Sequence, residues 1–186
     1  PETVGLVVYR VGDEANGNYH NAEMQMPLAS VVKIIHLVAY AEAVAAGQLD
    51  PTCYVTLATL ENYYLPGYDL GAHNRAVAEL AGAGLVLPSP DRIRLEDVPW
   101  MMVRHSANAA TDYLHLRLGQ AAIEETAVTL NLAQQTAPCT FLGHFLAMSN
   151  QTRQGSSDRS AMQAYLADPA SYGTEVALLA AAYVQD

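Results

Sequence analysis

Pro27-Leu28-Ala29-Ser30-Val31-Val32-Lys33 is the stretch on which the reading of this chain turns. Lys33 is the only lysine among 186 residues, and the other eight basic residues are arginines. Val31, Val32, Ile34, Ile35 and Leu37 surround it, so a helix through this stretch draws the ammonium in among apolar side chains. Burial of that charge is costly unless it finds partners or gives up its proton. A lysine pushed toward neutrality is a base, and on a helix the residue three before it shares its face. That residue is Ser30, and a serine beside a desolvated lysine is a nucleophile with its activator. Bland readings stand beside this one: Ser30 as a helix cap, and Lys33 snorkelling to solvent from an apolar helix.

Outward from this stretch, Thr3 to Val11 is rich in β-formers, Gly12 to Gly17 reads as a turn, and Asn18 to Glu23 as a returning strand, giving a hairpin. Ala29 to Ala46 reads as a helix that is apolar almost all round, hence central, and closed by Gly47 and Asp50-Pro51. Tyr63, Tyr64 and Tyr68 cluster around Pro66-Gly67, in a loop that suits either ligand contact or half-buried packing. Ala76 to Ala83 reads as a short helix, and Leu87-Pro88-Ser89-Pro90 as a rigid connector. Leu95-Glu96-Asp97-Val98 opens a helix through Val103, which breaks around His105-Ser106-Ala107-Asn108. Helices are expected again over Ala109 to Leu118, Ala121 to Leu130, Ser160 to Leu166 and Glu175 to Val184, with Thr136 to Ser157 left unassigned.

Composition bounds the function. The length fits one domain with a substantial core, and half the residues are hydrophobic. A net charge of -10 argues against nucleic acid as a partner, since phosphate binding needs clustered Lys and Arg. No apolar run reaches the roughly 20 residues of a membrane span. Cys53 and Cys139 allow one disulfide or two free thiols, and neither has metal-ligand spacing. His20, His36, His73, His115 and His144 show no paired spacing for metal, and no cofactor is expected.

Two motifs in order, Ser30-x-x-Lys33 and Ser106-Ala107-Asn108, carry a resemblance. With Ala-Gly-Gln-Leu-Asp at 46 to 50, Leu95-Glu96-Asp97-Val98 and the run from Ser106 to Asp112, the chain resembles the class A serine β-lactamases and the wider penicillin-recognising serine hydrolases from about Val4 to Leu132. The resemblance implies an α+β fold: a hairpin over residues 1–28 belonging to the α/β sheet, then a helical region over 29–186 carrying both motifs. It implies Ser30 as the acylated nucleophile, Lys33 as the base that takes its proton, Ser106 as the proton shuttle to the leaving nitrogen, and Asn108 as a hydrogen-bonding partner of substrate and of Lys33. The Ser30 N–H would supply half of an oxyanion hole. By their type alone, Ser106 and Asn108 also suit caps at a helix junction.

The chain departs from the family pattern in four ways. Ala107 replaces the usual Asp of the second motif. Lys-Thr-Gly, the third motif, requires a second lysine, and Arg153-Gln154-Gly155 is only a superficial substitute. The strands that complete the family's sheet are missing as well, which leads us to expect the N-terminal part of a longer protein, with a C-terminal polypeptide completing the sheet. The deacylating glutamate also lacks a counterpart: Thr126 to Ser157 contains no Asp or Glu, Asp158 is the first candidate, and Glu124 and Glu125 lie just before the gap. A serine acyl hydrolase acting on an amide or ester, with slow deacylation, is the first expectation. A non-catalytic binding module on a degenerate scaffold is the second, and an unrelated helical interaction protein the third. The family, and a chain that opens at Pro1 rather than Met, suggest a location outside the cytoplasm.

Overall fold

A computed structural model describes residues 4–132, 135, 138–149, 163 and 167–185. The chain divides into two units, Pro1–Val31 and Val32–Asp186.

The first unit is an antiparallel hairpin of β1 (Leu6–Arg10) and β2 (Asp13–His20), paired from Leu6 opposite His20 to Arg10 opposite Asp13. The expected six-residue turn contracts to two residues, and β2 begins at Asp13 rather than Asn18. Gly12 supplies the reason: it takes φ 86°, and its amide donates to the Glu14 carboxylate at 2.8 Å, which closes the chain tightly. Backbone pairing then carries Asn16 and Asn18 into a strand that their propensity disfavours. Leu6, Val7, Val8 and Tyr9 are each about half exposed. Successive strand residues point to opposite faces, so both faces of this hairpin present apolar side chains.

The second unit is mostly helical. A 3-10 turn, Ala29–Val32, leads the chain into α1 (Lys33–Ala45), so the expected helix starts four residues late. Lys33, Ile35, His36, Ala39, Tyr40 and Ala43 are buried, whereas Ile34 stays 57% exposed. Thus α1 buries one face and is not the central helix. That place belongs to α5 (Asn108–Leu118), in which every residue from Ala109 to His115 is buried. Polar residues are admitted there because they are bonded: Thr111 Oγ1 donates to the Ala107 carbonyl at 2.9 Å, and His115 and Asp112 find the partners described below. Around α5 stand α1, α4 (Asp97–Arg104), α2 (Leu57–Glu61), α3 (Ala72–Gly82), α6 (Gln120–Thr129) and α7 (Phe141–Met148), with α8 (Pro169–Gln185) packed on α7. Leu60, Leu80, Ile93, Met101, Met102 and Leu114 fill the main core with almost no exposure. Each such side chain contributes about 1.5–3 kcal/mol by leaving water.

Two short strands escaped the sequence reading. β3 (Tyr54–Thr56) pairs antiparallel with β4 (Arg92–Arg94), and Leu87 of the expected connector bridges to Arg92. Three-residue strands carry too little alternation to be read locally, and their ladder is made across some forty residues of chain. The expected α4 and α6 hold to within two residues, and α3 begins four residues earlier than expected. The unassigned segment from Thr136 contains α7. The helix expected over Ser160 to Leu166, Arg153-Gln154-Gly155 and Asp158 lie outside the described residues, except position 163. Cys53 and Cys139 are both free thiols.

Candidate active site

Helix α1 begins at Lys33, and the site is built around that residue's amine. The N-cap position of α1 is Val32, with no side-chain cap, so Ser30 does not occupy the cap position that the bland reading gave it. Ser30 belongs to the first unit, within the 3-10 turn, directly after Ala29 at φ 46°. A non-glycine residue held at positive φ stores strain.

Lys33 is 3% exposed. Its Nζ donates to the Ser106 carbonyl at 2.6 Å, to Ser106 Oγ at 2.9 Å and to Asn108 Oδ1 at 2.8 Å. The structure therefore brings Lys33, Ser106 and Asn108 together from positions more than seventy residues apart in sequence. Sequence alternatives for the second motif resolve the same way: the N-cap of α5 is Ala107, without a side-chain cap, and Asn108 turns its amide to Lys33 instead. Ser106 takes φ 64°, a strained conformation that aims both its carbonyl and its hydroxyl at one amine. Ala107 is fully buried in the core, where a small apolar residue fits.

Electrostatics set the amine's poise. Burial pushes Lys33 down to about 8, against the pull of the Asp112 and Asp69 charges, which raise it. Asp112 is itself buried in α5, and its carboxylate accepts from the backbone amides of Phe141 at 2.7 Å and Leu142 at 2.6 Å. Burial raises its pKa to about 7, while those two amides and Lys33 lower it. By gripping the first N–H groups of α7, Asp112 satisfies orphan donors of that helix and fixes where its first residue stands. That residue, Phe141, lays its ring 4.6 Å from Lys33 Nζ, a cation–π distance. Asp69 is held in turn two residues before Gly71, the N-cap of α3, accepting from the Gly71 and His73 amides at 3.0 and 2.9 Å.

Sequence reasoning assigned no role to Asp112, Phe141 or Asp69. Asp112 did carry a signal, as the acid that ends the Ser106 to Asp112 run of the family resemblance. The tyrosine cluster divides: Tyr63 packs edge-on against Tyr113 and Tyr64 stacks on His73, whereas the Tyr68 carbonyl accepts from Asn108 Nδ2 at 3.4 Å. His105 stays a neighbour, edge-on to Trp100 and 2.9 Å from a Glu79 carboxylate oxygen. His36 and His115, which no spacing linked, meet with ring nitrogens 3.0 Å apart, and His115 continues to Gln120 Oε1 at 2.8 Å. Among the described residues no group of three or more His, Cys, Asp or Glu suits a metal ion, and no helix is long and apolar enough to cross a membrane.

A buried, hydrogen-bonded amine with a lowered pKa, beside a serine hydroxyl and a carboxamide, can move a proton and orient an amide. In comparison with known proteins, the family model described as "Beta-lactamase enzyme family" matches residues 1–167. No curated protein and no solved structure matches the chain.

Proposed function

The chain belongs to the β-lactamase enzyme family, and from that premise we propose that it is a serine acyl hydrolase working through a Ser30 acyl-enzyme on an amide or ester of β-lactam or peptide-like kind. The observation that carries this reading is the triple hydrogen bonding of the buried Lys33 amine by Ser106 and Asn108. In the proposed step, the Ser30 hydroxyl oxygen attacks the carbonyl carbon as its proton passes to the neutral Lys33 amine. The tetrahedral intermediate collapses when the carbonyl–nitrogen bond breaks, and the leaving nitrogen takes a proton from Ser106 Oγ, which Lys33 replaces. The Asn108 side chain orients the substrate amide, and the Ser30 N–H supports the oxyanion.

We further propose that deacylation is slow. No Asp or Glu occurs between Thr126 and Ser157, and the residue placed against Lys33 from α7 is the aromatic Phe141. The protein would then act as a trap for the acyl group. Strands from a C-terminal polypeptide, which would also bring the third motif, fit the doubly apolar hairpin, and we place the protein outside the cytoplasm on the family's habit.

Denaturing intact-mass measurement before and after incubation with a penicillin tests this. A stable adduct on Ser30, absent in Ser30→Ala, is expected. Labelling that survives Ser30→Ala sinks the assignment of the nucleophile, and rapid steady-state turnover sinks slow deacylation. Neither adduct nor hydrolysed penicillin would favour the second reading, a binding module, for which the loss of the deacylating acid and Ala107 speak.

A further inference from the structure

Lys33 and His36, three residues apart on one face of α1, both reach α5. Lys33 bonds to Asn108 at the start of α5, and His36 meets His115 two turns further along it. His36 Nε2 and His115 Nδ1 are 3.0 Å apart, and the two residues are 0% and 3% exposed. His115 Nε2 continues to Gln120 Oε1 at 2.8 Å, and Gln120 Nε2 donates to Glu124 Oε1 at 2.9 Å, both on α6. None of these four side chains has a part in the acyl-transfer steps.

The direction of the bonds follows from their outer end. The Glu124 carboxylate only accepts, so Gln120 gives it Nε2 and turns Oε1 to His115. That oxygen only accepts as well, so His115 donates from Nε2. Burial lowers the pKa of both histidines, so each ring is neutral at pH 8 and carries one proton. His115 Nδ1 is then bare and accepts, and His36 donates from Nε2. His36 Nδ1, left without a proton, faces the Val32 carbonyl at 3.3 Å, the longest contact of the set.

A buried hydrogen bond has a direction, and the apolar contacts beside it have none. Ile35, Ala39 and Ile123, which pack here, would tolerate a rotated α1. Held at Lys33 alone, α1 could pivot about the amine. Held at His36 as well, it cannot turn without leaving a buried donor unsatisfied, which is costly. We propose that His36 is a positioning residue for acyl transfer: tied through His115 to Gln120, it fixes the rotation of α1 that presents Lys33 to Ser106 and Asn108. This rests on Lys33 being the base of that site.

The test uses the full chain with 13C-labelled lysine, whose one lysine gives one side-chain signal to titrate. The native midpoint is expected near 8. In His36→Leu it should rise by at least about one pH unit as the amine turns toward water. His36 is uncharged there, and Asp112 and Asp69 are untouched, so the shift reports where the amine stands. His36→Gln, which puts an amide donor in place of Nε2, should keep the native midpoint. An unmoved midpoint in folded His36→Leu, or a His36→Gln that behaves like it, overturns the proposal. A 15N-histidine spectrum of the native chain at pH 8 needs no variant to fold: Nε2–H on both rings is expected, and Nδ1–H on either one overturns the proposal. Penicillin labelling of Ser30, read separately, should slow roughly 10- to 100-fold in His36→Leu. Native labelling with an unmoved midpoint removes the positioning role and keeps the hydrolase reading, while a moved midpoint without native labelling keeps the tie between the helices and removes the hydrolase.

Discussion

Asn108 and Lys33, seventy-five residues apart, meet in a 2.8 Å hydrogen bond from Nζ to Oδ1 at the first residue of the most buried helix. A carboxamide there does two things: it satisfies a buried amine, and through Nδ2 it holds the Tyr68 loop.

Removing that carboxamide leaves part of a buried charge unpaired. Asn108→Leu is expected to destabilise the protein by about 1.5–3 kcal/mol at pH 7, as measured by denaturant unfolding. Adding Lys33→Met should recover much of the loss, because an apolar pair has no charge to satisfy. Strictly additive losses in the double variant would mean that the two side chains do not depend on each other.

Lys33 is a base whose folded pKa is lowered to about 8. Its neutral, proton-accepting form therefore grows as pH rises through about 8. The rate of Ser30 labelling should climb with pH to a plateau above that point. The Asp112 charge raises the amine's pKa, so Asp112→Asn should move the midpoint to lower pH. A labelling profile that is flat from pH 6 to 9 would remove Lys33 as the base.

Fully buried His36 has its pKa pushed down to about 4 from 6.5, by burial first and then by its neighbours His115 and Lys33. A depressed histidine is neutral when folded, while the unfolded chain takes a proton below about 6.5. The stability it contributes is fully present above 6.5 and falls away as pH drops to about 4, by about 3 kcal/mol. Unfolding free energies at pH 7 and 4.5 should converge in His36→Leu relative to the native chain. Asp112, raised to about 7 by burial, works in the opposite direction and cancels in that comparison.

Gly143 in α7 faces α8 so closely that a Cβ would overlap the Val176 carbonyl. Gly143→Ala should cost at least the 1–3 kcal/mol of an overpacked contact, since backbone cannot rotate away. Gly82, at the end of α3, has open space around it. Gly82→Ala should stabilise by about 0.5–1 kcal/mol. Thermal melting of both variants checks the pair, and equal shifts would contradict the α7–α8 packing.

Much of this molecule is legible along the chain. The burial of Lys33, the break before α5 at Ser106 and Ala107, the start of α4 to within two residues, and the helix ending at Leu118 before Gly119 follow from local rules: a lone lysine in apolar surroundings, breakers and a 3.6-residue period. What those rules misjudged has a common cause. Apolar residues on every side of α1 suggested a central helix, yet Ile34 faces out while the more polar α5 sits in the middle. Hydrophobicity states what a side chain prefers. Whether a polar one can go inside depends on partners brought from elsewhere, as Phe141 and Leu142 amides are brought to Asp112 and His36 to His115. The amine's partners, the ring over it and its poise near pH 8 likewise arise from residues far from Lys33 along the chain: Asp69, Ser106, Asn108, Asp112 and Phe141. The sequence alone determined which side chains are available for the chemistry. Only the tertiary structure decided which of them meet, because burial and hydrogen bonding are properties of the packed chain.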